Sequence, residues 1–263
     1  INLVVYLGTR KSHNKFIPMK KIFLLLGIFL VAACQWNSEK EKKSIDTDWE
    51  IINPNPNRIE GWLFHRNNSA DNGWSIQDGV MTYNHSKNTS GLDSSLMSPK
   101  QYLNFEISFD WKTEDYGNSG FLWGVRDIDS LSQTYFTGRE IQIVDPAVYE
   151  NKPDMQKENA GALFDMIPPN KKVTRPSGEW NSYYIRIHYD DNLGVLVHNK
   201  EEVLRFPLRG PQWDSLVENS KFKTWSHFGK YEKGHISFQA HEAMDKNYPG
   251  ITSYRNIKIR SLN

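Results

Sequence analysis

The sequence is poor in cysteine, with one Cys among 263 residues. This excludes a disulfide framework and a zinc centre built from several thiolates. A basic excess is also missing, because 32 Lys and Arg are balanced by 31 Asp and Glu, and this argues against a nucleic-acid-binding protein. The mean hydropathy of −0.65 excludes a protein with several membrane spans. No glycine-rich phosphate loop, dinucleotide fingerprint, nucleophile-elbow serine or HExxH motif occurs.

Aromatic residues are abundant instead. Nine Trp, twelve Tyr and thirteen Phe make up 13% of the chain. Rings on strands pack the cores of β-sandwiches, whereas rings on open faces stack on sugars or bases. The length allows one or two domains, and an all-β sandwich of this size can form a single domain.

The region around the single cysteine has the pattern of a bacterial lipoprotein signal. Met19, Lys20 and Lys21 precede twelve uncharged, mostly apolar residues, and small residues lead to Cys34. That apolar run is too short to span a bilayer. We therefore expect a signal peptide over residues 19–33, a lipidated Cys34 and a place on the periplasmic or outer-membrane surface of a bacterial envelope. An ordinary signal peptide with a chance cysteine is the alternative.

Three further ranges follow from this interpretation. Residues 1–18 are expected to be upstream sequence included by a misplaced start, with Met19 as the true first residue. Residues 34–48 are polar and predict a flexible tether, and residues 49–263 predict one domain. Removal of residues 1–33 takes away five Lys and Arg and no acid, so the mature chain carries a net charge of −4.

The body of the chain alternates with period two. Apolar and polar residues alternate along 104–111, 183–190, 235–241 and 254–262. Such alternation predicts half-buried strands. We find no long amphipathic helix, although residues 212–221 could form a short one. The prediction is an all-β fold, an antiparallel two-sheet jelly-roll sandwich.

Polar residues on two predicted strands are the best candidates for chemistry. Glu140 and Gln142 share one face, with Ile141 and Ile143 on the other. Gln239 and His241 likewise share a face at the end of another strand. The four side chains could form one functional patch, or they could lie on a solvated outer face.

Further candidates are less constrained by pattern. Arg126 and Arg255 could clamp a hydroxyl or carboxylate, although a surface ion pair would explain either one. Residues 118–120 suggest a tight turn that contains Asn118. No cofactor is certain, but Glu140, Asp145 and His241 could together hold a divalent metal.

Seven blocks of residues, taken in order, resemble the 3-keto-disaccharide hydrolase domain family. They are GWSIQDGV at 73–80, YGNSGFLWG at 116–124, GREIQIVD at 138–145, AGALFDMIPP at 160–169, PSGEWN at 176–181, SKFK at 220–223 with FG at 228–229, and GHISFQAH at 234–241 with YRNIKI at 254–259. The resemblance implies a concanavalin A-like sandwich of the lectin and glucanase type, whose concave sheet binds sugar. It also implies cleavage of glycosides whose glucose carries a 3-ketone, and it places the family's polar positions on Glu140, Gln142, Asp145, Gln239, His241 and Arg255.

Three departures from the family pattern occur, at His198-Asn199-Lys200, at Glu242 after His241, and at Tyr254 in place of the usual Phe. The residue at 242 puts substrate specificity in question, because the family often has glycine there.

The implied reaction is removal of the C2 proton, elimination of the C1 substituent and addition of water. His241 or Glu140 would act as the base, while Gln142, Gln239, Arg255, Arg126, Asn118 and Asp145 would contact substrate. Two rival hypotheses are a non-catalytic carbohydrate-binding lipoprotein and a conventional glycosidase that uses Glu140 and Asp145. The sequence gives no oligomeric state.

Overall fold

The computed structural model describes residues 48–53 and 55–262. The expected upstream extension, signal peptide, lipidated Cys34 and nearly all of the expected tether lie outside these residues. Within the described ranges, no helix is long and apolar enough to cross a membrane.

Thirteen strands form the described part of the chain. They are β1 (Glu50–Ile51), β2 (Leu63–Phe64), β3 (Asn72–Gln77), β4 (Val80–Asn88), β5 (Leu96–Tyr102), β6 (Phe105–Thr113), β7 (Asn118–Val125), β8 (Arg139–Val144), β9 (Asn181–His188), β10 (Leu193–His198), β11 (Glu201–Phe206), β12 (Gly234–Phe238) and β13 (Ile251–Ser261). Residues 118–120 begin β7, so the tight turn expected there is wrong.

The strands form two antiparallel sheets. The larger has the order β11-β10-β9-β6-β13-β4-β3, with β1 also paired to β13, and the smaller has the order β2-β5-β12-β7-β8. Neighbours in this order are often distant in sequence, as in β6 beside β13, so long connections cross between the sheets. The predicted all-β, two-sheet sandwich is confirmed.

Alternating residues fill the space between the sheets. In β9, the buried positions are Asn181, Tyr183, Ile185 and Ile187, and each is followed by a half-buried residue. β6 likewise buries every second residue, namely Phe105, Ile107, Phe109 and Trp111. Apolar side chains two residues apart point to the same face, so the pattern in the sequence sets which face of each strand joins the core.

Phe109 lies at the centre of the aromatic core. Its ring centroid is 5.7 Å from that of Tyr183 in the same sheet. It is also 5.6 Å from Phe121 and 5.0 Å from Phe238, both in the opposite sheet. Offset and edge-to-face rings at these separations add to the stabilisation from burial. Most of the aromatic residues noted in the sequence are therefore packing residues.

Short helices lie between the strands. The helix α1 (Pro211–Glu218) agrees with the short helix expected near residues 212–221. The 3-10 helices are Thr134–Phe136, Pro146–Val148, Pro153–Glu158 and Lys221–Thr224. Two of them, Thr134–Phe136 and Lys221–Thr224, contribute side chains to the cavity described below.

Replacing Phe109 by Ala should lower the free energy of unfolding by about 3–5 kcal/mol, because it leaves a cavity between the two sheets. Urea unfolding followed by circular dichroism measures this change. Leu92→Ala is the control, since Leu92 is 52% exposed and its truncation should change stability by at most about 0.5 kcal/mol. A loss below about 1 kcal/mol for Phe109→Ala would contradict this account of the core.

Candidate active site

A cavity of about 330 Å³ lies on the face of the five-stranded sheet that is turned away from the core. Polar groups line its floor and aromatic rings line much of its wall. The lining residues are Asn118, Tyr135, Phe136, Glu140, Gln142, Phe164, Lys221, Phe222, Trp225, Gln239 and His241.

Strand β8 places two of these polar groups. Ile141 and Ile143 are fully buried in the core, so Glu140 and Gln142 point to the other face and line the cavity. This is the face that alternation predicted for them. β8 is the edge strand of its sheet, and the loop at 161–164 covers that edge through backbone bonds to residues 140 and 142.

Gln239 and His241 come from the segment that follows β12. The predicted strand through His241 is too long, since β12 ends at Phe238. The segment nevertheless continues beside β7, where the Gln239 N–H donates to the Gly120 carbonyl over 3.0 Å. The predicted patch of Glu140, Gln142, Gln239 and His241 is therefore assembled around one cavity.

Asn118 and the Glu242 carbonyl both contact the same ring nitrogen of His241. Its Nδ2 lies 3.0 Å from Nδ1 of His241, and the Glu242 carbonyl oxygen is also 3.0 Å from that nitrogen. The amide requires an acceptor and the carbonyl requires a donor, so the tautomer of His241 selects one of the two bonds. The Oδ1 of Asn118 is buried without a protein partner.

The Glu140 carboxyl has an unusual electrostatic environment. Burial raises its pKa to about 7, and the positive charge of Lys221 offsets part of this rise. Its close packing depends on Gly120, because a Cβ at that position would collide with Oε1 and lie 2.7 Å from Cδ of Glu140. A carboxyl with a pKa near 7 can exchange a proton at neutral pH.

The sequence did not single out the wall of the cavity. Lys221 is exposed and its ammonium lies 4.1 Å from the centroid of the Phe164 ring. Trp225 packs against Phe136 and Phe222, with centroids 5.0 and 5.1 Å apart, and so joins the two 3-10 helices. The family block at residues 220–223 includes Lys221, but the resemblance implied no functional role for this residue.

Asp145 does not line the cavity but a separate hollow beside Pro146 and Ala147, so it is not grouped with Glu140 and His241 as expected. Its Oδ2 accepts the Tyr116 N–H at 2.9 Å, and its Oδ1 accepts the Ala147 N–H at 3.0 Å, capping the Pro146–Val148 helix. The chain turns at Pro146, and a buried carboxylate at that point satisfies backbone donors that the sheet leaves unpaired.

The two predicted arginine clamps also lie elsewhere. Arg255 is in β13 of the larger sheet, where its Nε donates to Asp110 over 3.2 Å and its guanidinium stacks on Trp180 at 4.0 Å. Arg126 follows β7 and packs over the Tyr231 ring, 5.5 Å from its centroid. Neither residue lines the cavity; alternation could not locate them because each lies at a strand end or a bulge.

The expected metal set of Glu140, Asp145 and His241 is not assembled. Asp145 is held by backbone amides away from the cavity. Across residues 48–53 and 55–262, no three His, Cys, Asp or Glu side chains are grouped so that they could hold a metal ion.

Comparison with known proteins identifies relatives of this domain. The sequence model of the 3-keto-alpha-glucoside-1,2-lyase-like domain matches residues 49–260. A 3-keto-disaccharide hydrolase of Bacteroides thetaiotaomicron is 30% identical over a 246-residue alignment, and the match covers 83% of this chain and 80% of the relative.

A candidate glycosyl hydrolase from Parabacteroides distasonis, solved by crystallography, is similar in structure. It is 26% identical, with a TM-score of 0.68, over 82% of this chain and 94% of its own. A second crystal structure from that organism has 24% identity and a TM-score of 0.58 over 81% of this chain and 99% of its own, and it supports the fold.

Removal of the Lys221 charge should raise the pKa of Glu140 further above its usual range, because the ammonium favours the carboxylate form. The measurement is a ¹³C NMR titration of the Glu140 carboxyl in Lys221→Met. Lys223→Met is the matched control, since Lys223 lies on the same 3-10 helix but does not line the cavity. Equal shifts in the two variants would show that Lys221 has no specific effect on Glu140.

Proposed function

The chain belongs to the 3-keto-alpha-glucoside-1,2-lyase-like domain family, and we propose that it cleaves the glycosidic bond of 3-keto-α-glucosides. The relatives support an enzyme of the carbohydrate hydrolase type. The observation that carries the finer proposal is Glu140, a single buried carboxyl in the cavity with a pKa of about 7.

The chemistry of a 3-ketone suits such a group. The ketone acidifies the hydrogen on C2, because the resulting carbanion delocalises onto the carbonyl oxygen. One base and a stabilised enolate oxygen are then sufficient to expel the C1 substituent. Glu140 is our choice of base over His241, because its carboxyl is buried in the cavity and desolvation makes it a stronger base, whereas His241 is half-buried.

The proposed steps conserve every proton. The Glu140 carboxylate takes the C2 proton, and the enolate collapses with cleavage of the C1–O bond as the His241 imidazolium protonates the leaving oxygen. Water then adds to the C1–C2 double bond. Its hydroxyl joins C1 and its proton goes to His241, while Glu140, whose carboxyl proton exchanges with solvent once the leaving group has departed, protonates C2. Release before water addition would give the lyase product, and completion gives net hydrolysis.

Other polar groups of the cavity would bind and polarise the substrate. The amides of Gln142 and Gln239 line the floor and can hydrogen-bond to sugar hydroxyls. The positive charge of Lys221 lowers the pKa of the Glu140 carboxyl. The same charge is suited to stabilise negative charge on the enolate oxygen. The rings of Phe164 and Phe222 flank this ammonium.

A conventional glycosidase mechanism would need a second carboxylate in the cavity. Such enzymes place two carboxyl groups on either side of the scissile bond. Among the residues that the structure describes, Glu140 is the one carboxylate that lines the cavity, and Asp145 is committed to backbone amides. A purely sugar-binding role does not require a carboxyl with so high a pKa, which supports the enzyme over the binding protein.

Glu140→Gln should lower kcat/KM on 3-keto-trehalose by about 10²–10⁴-fold, because the amide cannot take the C2 proton. In the wild type, kcat/KM should rise with pH through about 7, since the carboxyl must first lose its proton. Glu179→Gln, at an exposed position, is the control and should keep wild-type activity. Ordinary trehalose should not be cleaved. Retention of more than a tenth of the activity in Glu140→Gln would remove Glu140 as the base.

We further propose that a lipid on Cys34 anchors the enzyme at the bacterial envelope, from the pattern of residues 19–34. Expression of the full chain in a bacterium should place the protein in the membrane fraction. Cys34→Ser should move it to the soluble fraction, with the same activity per molecule. Equal membrane association of both proteins, or no lipid detected by mass spectrometry, would contradict the anchor.

A further inference from the structure

A second hollow, of about 720 Å³, opens beside the cavity. We call it the outer groove. Its wall combines the Tyr116 ring with charged side chains of both signs and the exposed Met244. Lys152 contributes from one side, and Glu242, Asp245 and Lys246 contribute from the segment that follows His241.

The outer groove continues directly from the cavity. β7 and the segment after β12 run side by side and connect at three successive levels. Gln239 N–H bonds to the Gly120 carbonyl, Asn118 contacts His241, and Met244 N–H bonds to the Tyr116 carbonyl over 2.8 Å. The first two levels border the cavity and the third borders the groove. Residues 116 and 118 are separated by at most roughly 7 Å of extended chain, so the two spaces are neighbours.

Tyr116 is held rigidly at the groove. Its φ of 56° is in the left-handed region, which is uncommon for a bulky residue. The Asp145 carboxylate accepts its N–H, and its carbonyl accepts from Met244. Tyr248 packs against its ring with centroids 4.3 Å apart, while Tyr116 remains 36% exposed. The uncommon backbone conformation of Tyr116 is thus held by three contacts, from Asp145, Met244 and Tyr248. Conformations of this kind often mark functional sites, and this indicates a function for the ring.

We propose that the outer groove binds the leaving group of the substrate, a second pyranose ring stacked on Tyr116. This inference rests on the proposed function. His241 lies at the boundary between cavity and groove, where it would protonate the leaving oxygen. An aromatic face fits the apolar C–H face of a sugar, and the surrounding carboxylates and ammonium groups can bond to its hydroxyls. Asp145 is then a positioning residue, because it acts through Tyr116.

Two substrates distinguish binding of the leaving group from cleavage of the glycosidic bond. 3-Keto-trehalose carries a glucose leaving group, whereas methyl 3-keto-α-glucoside leaves only methanol. Tyr116→Ala should lower the ratio of their kcat/KM values about tenfold, mainly through a higher KM for 3-keto-trehalose. Tyr116→Phe keeps the ring and should keep the wild-type ratio. Circular dichroism and thermal unfolding check that both variants fold.

An unchanged ratio in Tyr116→Ala would overturn the proposal. Failure of the wild type to convert either substrate would instead contradict the proposed function. The groove is then tested by calorimetric titration with trehalose, which has no ketone and needs no catalysis to bind. Weaker binding to Tyr116→Ala than to the wild type and Tyr116→Phe supports the sugar subsite, and equal or undetectable binding in all three overturns it.

Discussion

The close packing of the Glu140 carboxyl over Gly120 is the constraint on which the site depends. The carboxyl occupies the space that a side chain at 120 would fill. It is thereby withdrawn from water, and burial raises its pKa to about 7. A carboxyl in open solvent would be ionised at neutral pH and would be a weaker base. The absence of one methyl group in β7 therefore shapes the chemistry on the neighbouring strand.

The strands around this contact are fixed from beneath the sheet. The Ser119 hydroxyl donates to the Gln239 carbonyl over 2.6 Å, and the Tyr254 hydroxyl donates to Ser119 over 2.5 Å. This buried chain joins β13 of the larger sheet to β7 and to the segment that carries Gln239 and His241. The hydroxyl of Tyr254, which a Phe at this position would lack, therefore has a structural role in this network. Core packing and site geometry are thus parts of one network.

Alternation was sufficient to predict the sandwich and to place Glu140 and Gln142 together, because each strand has one apolar face. It could not place Asp145 or Arg255, since a residue at a strand end or beside a bulge is free of the period-two rule. It also missed Lys221, whose position depends on a 3-10 helix packed through Trp225 against a wall distant in sequence. Contacts between loops arise from tertiary packing, and no local pattern records them.

Transfer of the C2 hydrogen is the central claim, and one labelling experiment tests it directly. Methyl 3-keto-α-glucoside deuterated at C2 is incubated with the wild-type enzyme, and the sugar product is examined by mass spectrometry and NMR. Elimination predicts that the deuterated substrate reacts more slowly than the unlabelled substrate. It also predicts a product that carries solvent hydrogen at C2. Direct displacement at C1 would give no such slowing, and the deuterium would remain at C2, which would contradict the mechanism.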